Sequence, residues 1–588
     1  MSRTESPTRE ETPFRLLPPP SSLSGGEVVI AGRRIKIGGP APEPREGERL
    51  RAYTTSICPH CYRLLPAIII ERGGKVWIRK ICPEHGEIEE VYYEDADMYS
   101  KFMRFEDEGK GVRFPYVPLT APCPYSCGLC PMHKNHTALL NLVVTNRCNL
   151  SCWYCFYFAE AAGYVYEPSL EQIRYMIRQL AKQGVTMAVQ ITGGEPMLRD
   201  DLVEIVKLLK EEGVRHIQLN TQALRVAELY LQDPQLAVDY VRKLREAGVN
   251  TIYMSFDGVS PRVNWKNHWE VPLIFDAFRK AKMTSIVLVP TVIRGVNTHE
   301  LGDIVRFAGK HIDIVRGVNF QPVSLTGMMK KHERMKFRIT IAGAVKLIEE
   351  QTDGQIHKDA WYPVPVTTRF SKFIEQLTGE PQFTMANHPV CGAATYVVVA
   401  EKDENSVPRR FIPITDFFDV EGFVEYLEEK AEELRRGRSK TLLKMKMLLD
   451  IVKFVDRERM PKELDVSRLL FKVFVKRNYE ALGELHYKML FLGMMHFMDL
   501  YNYDVERVMR CNIHYSTPDG RIIPFCAFNV LNDIYRDFIQ EQYRVPLDEW
   551  ARRHGGEALG MTVKYRRNRK LMESHPLYRE TYRGILFG

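Results

Sequence analysis

The sequence predicts an α/β protein built around a parallel βα array, with a cysteine-rich metal module before it and a mostly helical region after it. Three observations carry that expectation. From Leu139 to about residue 326, short apolar runs alternate with amphipathic stretches, the pattern of βα units sharing one parallel sheet. Upstream, Cys58-Pro-His-Cys61 and Cys82-Pro-Glu-His85 form two knuckles whose separation suits one tetrahedral ion. Beyond residue 330 the periodicity turns helical and stays so until about 510.

The boundaries follow from composition. Residues 1–48 are rich in Pro, Ser, Gly and charge and read as a flexible arm. Residues 49–136 hold the two knuckles, with Gly73-Gly74 as a hairpin turn between them, and a proline-rich loop. Residues 137–330 are the array. Its expected strands are Leu139–Thr145, Met187–Thr192, Ile217–Asn220, Thr251–Asp257, Ser285–Ile293 and Val315–Phe320. Helices over Leu170–Gln183, Asp201–Glu212, Ala237–Ala247, Val271–Lys282 and His299–Lys310 separate them. Residues 331–588 are the mostly helical region. Within it, Met489–Tyr501 reads as a methionine-crowded apolar helix, either plain core or the wall of an apolar substrate path.

Lys and Arg outnumber Asp and Glu by 82 to 74, a net +8 that is mild for 588 residues and gives no reason to expect nucleic acid. No run of eighteen apolar residues appears and the first residues lack an apolar signal core, so a cytoplasmic protein is expected. Twelve cysteines in such a compartment point to metal or cluster ligation rather than disulfides. The basic stretches Leu434–Lys446 and Tyr565–Lys570 fit either solvated helix faces or peripheral contact with an anionic membrane surface.

The cysteines fall into four triplets. Cys58, Cys61 and Cys82, with His85 where a fourth thiolate would stand, suit a closed site for zinc or a single iron; His85 as an ordinary surface histidine is the alternative. Cys123, Cys127 and Cys130 repeat the C-x3-C-x2-C spacing of Cys148, Cys152 and Cys155. That spacing wraps three thiolates around a four-iron cluster and leaves one iron without a protein ligand. Context separates the copies. The later one follows an apolar strand, carries Tyr154 before its third cysteine, and precedes the turn Gly193-Gly194-Glu195-Pro196. The earlier one follows Pro115, Pro118 and Pro122 and has Leu129 in place of the aromatic residue, so it reads as an auxiliary cluster with His133 or His136 as candidate fourth ligand. Cys511 and Cys526 bracket an expected hairpin with an Asp519-Gly520 turn. With Cys391 they form a second auxiliary site or three buried free thiols.

Together, the strand before Cys148-x3-Cys152-x2-Cys155 and the Gly193-Gly194-Glu195-Pro196 turn closely resemble the radical SAM superfamily. The resemblance implies a partial (β/α)6 barrel whose open iron chelates S-adenosylmethionine (SAM), with the glycine turn at the methionine amine. It also implies polar residues at strand ends around the ribose and adenine. Here those are Glu195, Asn220, Ser255, Asp257, Asn297 and Gln321, with Asp257 as a plain loop cap the alternative. The cysteine plan, including Cys127-Gly-Leu-Cys130-Pro-Met-His133 and Cys511-Asn-Ile-His514-Tyr515, resembles the archaeal tetraether lipid synthases across residues 50–330 and 490–530. That group implies coupling of terminal methyl carbons of two isoprenoid chains of diether lipids by way of a 5′-deoxyadenosyl radical, with a substrate radical held on an auxiliary-cluster sulfide. It implies three 4Fe-4S clusters, one mononuclear iron or zinc, and a reductant such as ferredoxin or flavodoxin. A related lipid-cyclising or cross-linking enzyme, a peptide-modifying radical SAM enzyme and a plain iron–sulfur electron carrier are the alternatives.

Overall fold

A computed structural model describes residues 25–157, 162–184, 188–329, 331–461, 464, 488–556 and 559–587. The first strands are Gly26–Ile30 (β1) and Arg33–Ile37 (β2), an antiparallel hairpin. It lies inside the stretch read as a flexible arm, whose residues 1–24 fall outside the described ones. The hairpin turns at Ala31-Gly32, both with positive φ, and Ile35 is fully buried. A four-stranded antiparallel meander follows: Arg49–Ile57 (β3), Leu64–Arg72 (β4), Lys75–Cys82 (β5) and Gly86–Tyr93 (β6). Gly73 and Gly74, both at positive φ, make the expected turn between β4 and β5.

The array follows in the expected order: Leu139–Thr145 (β7), then, after the two-residue Tyr164–Val165 (β8) that pairs outside this sheet, Ala188–Gly193 (β9), His216–Thr221 (β10), Thr251–Ser255 (β11), Ile286–Val289 (β12), Thr291–Val292 (β13) and Val315–Pro322 (β14). Helices Leu170–Ala181, Leu202–Glu211, Pro234–Ala247, Val271–Lys280 and Leu301–Lys310 connect these strands. Ser169 caps the first of them in a capping box with Gln172. Residues of alternate parity divide between two faces. Leu140, Leu142, Val189, Ile191, Ile217, Leu219, Ile252 and Met254 pack into the core under the helices. Asn141, Gln190, Gln218, Asn220, Tyr253 and Ser255 line the lumen.

The remaining strands are Tyr362–Pro363 (β15), Gly392–Lys402 (β16), Pro408–Pro413 (β17), Met489–Met495 (β18), Ile513–Ser516 (β19), Ile522–Pro524 (β20) and Val545–Pro546 (β21), the last pairing with β8. The region beyond 330 is helical in the main, yet its strands extend the barrel sheet at both ends. β18 joins β14 in parallel, and β19 joins β7 in parallel. The expected helix at Met489–Tyr501 is therefore a strand up to Met495. Lying between β14 and β16, with Phe491 and Met495 half-buried and its other residues buried, it carries no polar residue on either side. A continuous apolar run of that kind does not reveal its period.

The metal-knuckle meander packs against the segment after β18. The Lys80 ammonium donates to the carbonyls of Leu500 (3.1 Å) and Tyr501 (2.9 Å), and Tyr92 and Thr54 donate to the Asp504 carboxylate at 2.6 Å each. Arg338 bridges Glu90 of the meander (3.1 Å) to Asp499 (2.9 Å). The meander thus buttresses the chain that leads to Cys511.

Candidate active site

The loop after β7 brings Cys148, Cys152 and Cys155 to one cavity of about 210 Å³ at the carboxyl ends of the strands. The glycine turn lies directly against this loop. A Cβ on Gly194 would meet the Arg147 carbonyl at 2.1 Å, and one on Gly193, at φ +146°, would meet the Thr145 carbonyl at 2.1 Å. Only glycine permits that approach. Tyr154, Gly193, Gly194, Asn220, Ser255 and Gln321 line the same cavity. Burial pushes the Cys148 thiol well up, so a neutral thiol is favoured until a cation stabilises the thiolate.

Four of the expected contact residues stand behind this wall. The Glu195 carboxylate accepts from Met197 N (3.0 Å), Thr221 Oγ1 (2.6 Å) and Gln222 N (2.9 Å), fastening the glycine turn to the end of β10 while burial raises its pKa. Pro196 is buried at the start of a short 3₁₀ turn. Asn297 Nδ2 donates to the carbonyls of Asp257 (2.9 Å) and Thr291 (2.7 Å). Asp257 accepts from Thr291 N at 3.0 Å and from the Tyr154 hydroxyl. These four brace the strand ends and do not line the cavity.

Lys266 is the residue the sequence reading missed. Nearly buried, it lines the cavity, pairs with Asp257 at 3.0 Å, and lies 4.9 Å from the centre of the Tyr154 ring. Burial alone would lower its pKa; the Asp257 carboxylate and the Cys152 thiol outweigh this and raise it, so the ammonium stays charged. It sits in an irregular loop where no periodicity marks it. The lumenal Gln190 and Gln222 were missed too, although strand parity marks Gln190.

A second compartment of about 310 Å³ opens deeper in the lumen. The two share six wall residues: Leu139, Tyr253, Met495, Phe497, Ile513 and Phe525. The deeper one is mostly apolar, with Phe491, Met494, Met495 and Met498 around it beside the polar Gln218, Asn319, Asn387 and His496, and it brings Cys391, Cys511 and Cys526 together. Arg507, 2% exposed, donates from Nε to Cys391 Sγ (3.2 Å) and from Nη2 to the His496 carbonyl (2.7 Å). It makes no ion pair among the described residues. A buried cation without a counter-charge is costly, so an anionic thiolate–iron centre at these cysteines fits the charge this site carries.

The other two triplets also converge. Cys123, Cys127 and Cys130 line a small pocket with His133. His136 stands apart, accepting from Thr384 N at 3.1 Å. Burial holds both rings down at about 4, neutral at pH 7. At the knuckles, the ligand atoms of Cys58, Cys61, Cys82 and His85 all lie within 4.8 Å of one another. His85 Nδ1 is 3.5 Å from Cys58 Sγ and 3.4 Å from Cys82 Sγ. This donor set fits one zinc or iron ion.

A parallel barrel whose cysteine loop and glycine turn share one polar cavity is the frame of a radical SAM enzyme. The Radical SAM superfamily profile matches residues 142–308, and the profile of the HMPTM N-terminal zinc ribbon domain matches residues 50–94. The 7,8-dihydro-6-hydroxymethylpterin dimethyltransferase of Methanocaldococcus jannaschii is 43% identical over 515 residues, 86% of this chain and 98% of that protein. The chain belongs to the family of that protein, within the radical SAM superfamily. A probable GTP 3′,8-cyclase of the same organism is 26% identical over 224 residues, 37% of this chain and 69% of that one. Among solved structures, Streptococcus suis SuiB bound to precursor peptide SuiA matches with a TM-score of 0.30 at 17% identity, covering 39% of this chain and 48% of that one. Among the described residues, no helix is long and apolar enough to cross a membrane.

Proposed function

We propose that this enzyme joins terminal methyl carbons of isoprenoid lipid chains, converting a diether lipid into a macrocyclic or tetraether product. The observation that supports the reading is a mostly apolar compartment that shares six wall residues with the cavity of Cys148, Cys152 and Cys155. A hydrocarbon tail could lie along the deeper compartment with its end at the shared wall. The Phe and Met side chains of this wall suit a hydrocarbon, while Gln218, Asn319, Asn387 and His496 stand among them.

In this reading Cys148, Cys152 and Cys155 hold a 4Fe-4S cluster, with SAM against Gly193 and Gly194 and its ribose and adenine among Asn220, Ser255 and Gln321. Glu195, Pro196, Asp257 and Asn297 brace those contacts. When bound, cluster and SAM supply a 5′-deoxyadenosyl radical on one-electron reduction, a reagent for methyl C–H bonds that no side-chain base can deprotonate. The balance for each new bond is two SAM and two electrons consumed, two methyl C–H bonds broken, and one C–C bond, two 5′-deoxyadenosines and two methionines formed. The electrons come from a low-potential carrier of the ferredoxin or flavodoxin class. Lys266 offers a cation beside Tyr154, fixed by Asp257, to a carboxylate or hydroxyl in the cavity. Phe497 and Met495 exclude water from the shared wall. The apolar tail has to reach this lumen from a membrane, so peripheral contact belongs to the proposal.

The second reading is methylation of a reduced pterin, favoured by the printed activity of the 43% identical relative and by the polar residues of the upper cavity. One experiment separates them. The anaerobically reconstituted enzyme, with SAM and dithionite, is offered archaeal diether lipid or 7,8-dihydro-6-hydroxymethylpterin. Lipid coupling predicts deoxyadenosine accompanied by a lipid product lighter by two hydrogens per bond. Methylated pterin with unchanged lipid would overturn it.

A further inference from the structure

We propose that His133 is the fourth ligand of the centre formed by Cys123, Cys127 and Cys130, closing that centre with a nitrogen donor. The proposal rests on reading these cysteines as a cluster site. His133 is 6% exposed and lines the small pocket that the three thiols share. Its Nε2 lies 2.7 Å from the carbonyl oxygen of Cys511. A carbonyl can only accept, so the proton of the neutral ring is on Nε2 and Nδ1 keeps its lone pair. His514 agrees: its Nε2 is 3.1 Å from His133 Nε2, and its Nδ1 is 2.9 Å from Thr137 Oγ1, so it can donate from Nδ1 and receive at Nε2. Nδ1 of His133 has no hydrogen-bond partner among the described residues. A ring with one nitrogen donating to a backbone carbonyl and the other left free is the arrangement that orients a metal-bound imidazole.

The same hydrogen bond reaches the neighbouring centre, because the accepting carbonyl belongs to Cys511. Val508 lines both pockets, and Lys134 N donates to the Met509 carbonyl at 2.7 Å, so the segment 508–511 is common to the two sites. The assignment divides the labour between them. The Cys123–Cys127–Cys130 centre, closed by His133 and lying off the apolar compartment, can only pass electrons. The Cys391–Cys511–Cys526 centre, on that compartment's wall, is the one that substrate can approach.

The test is pulsed EPR on the dithionite-reduced holoenzyme without SAM, prepared with ordinary and with ¹⁵N-imidazole-labelled histidine. A directly bound histidine nitrogen is expected, changing with the label. It should vanish in His133→Cys, which keeps its iron content but shifts the midpoint potential of one centre downward, since histidine in place of cysteine raises a cluster's potential. It should persist in His136→Asn. The labelled wild-type protein needs no variant to fold: absence of a histidine coupling there, or its survival in His133→Cys, overturns the ligand assignment. Cys127→Ala tests the underlying reading separately. It should lose about four irons per chain, and an unchanged iron count would overturn the cluster site itself.

Discussion

Placing a phenyl ring at Ala394 tests the apolar compartment directly. On β16, Ala394 pairs with Gly493 of β18, and both line the deeper cavity. Its neighbour Ala393 and the paired Met494 also border this compartment but are each 1% exposed and packed in the hydrophobic core. Ala394→Phe therefore adds bulk to a space of about 310 Å³ with little cost to packing, whereas Met494→Trp forces an indole into a filled core. Overpacking of that kind costs about 1–3 kcal/mol of stability. If the new ring displaces even two methylenes of a tail, at ~0.8 kcal/mol per buried CH₂ the loss is about 1.6 kcal/mol, more than tenfold in affinity. The assay compares 5′-deoxyadenosine with coupled lipid, each normalised to folded protein. Ala394→Phe should lower the ratio of coupled lipid to deoxyadenosine by roughly tenfold or more, and Met494→Trp should lower both products with the fraction folded. A parallel fall of both products in Ala394→Phe, or no change in their ratio, would refute the tail path.

Further predictions concern the metal sites and the meander. Cys152→Ala should abolish deoxyadenosine formation while iron at the other cysteine sites remains; residual SAM cleavage would remove this triplet from the SAM site. Cys61→Ser should release the ion held with Cys58, Cys82 and His85 and lower the melting temperature, with turnover falling only as folded protein falls; a fully stable but inactive variant would give the ion an electron-transfer role instead. Glu48 is held at about 2, from an ordinary 4.5, chiefly by its hydrogen bond from Arg79. A depressed carboxyl stabilises the fold fully above its unfolded pKa and loses that contribution as pH falls from 4.5 towards 2. Glu48→Gln should therefore destabilise by about 1–3 kcal/mol at pH 7, measured by denaturant melts, and the difference from wild type should shrink on acidification.

The array was legible because its strands alternate with helices of different period, and because cysteine spacing and the Gly193-Gly194 turn are local signals. Asn220, Ser255 and Gln321, singled out by their place at strand ends, line the lumen. Asp257 and Asn297 sit just past the strands, where parity no longer predicts direction, and they turned to brace the loops. Lys266 and Arg507 were illegible for a different reason. Each matters through a partner distant in sequence or across the lumen, Tyr154 for one and Cys391 for the other. The strand at Met489–Met495 was hidden by its own burial, which erases the polar alternation that would have betrayed it.

That strand also bears on where the proposed function places specificity. The sheet order puts β18 beyond β14 and β19 beyond β7, so the polypeptide after residue 488 completes both ends of the parallel wall. The polar lumen around Asn220, Ser255 and Gln321 comes from β10, β11 and β14, while the apolar lumen comes from β16, β18 and the segment through Cys526. Under the proposed function, radical generation and substrate selection would fall to different stretches of chain that share a cavity wall. On that proposal, substitutions on β16 or β18 should alter which molecule is accepted without touching the residues around Cys148, Cys152 and Cys155. The reverse does not hold, since Tyr253 and Leu139, contributed by the array, form part of both compartments.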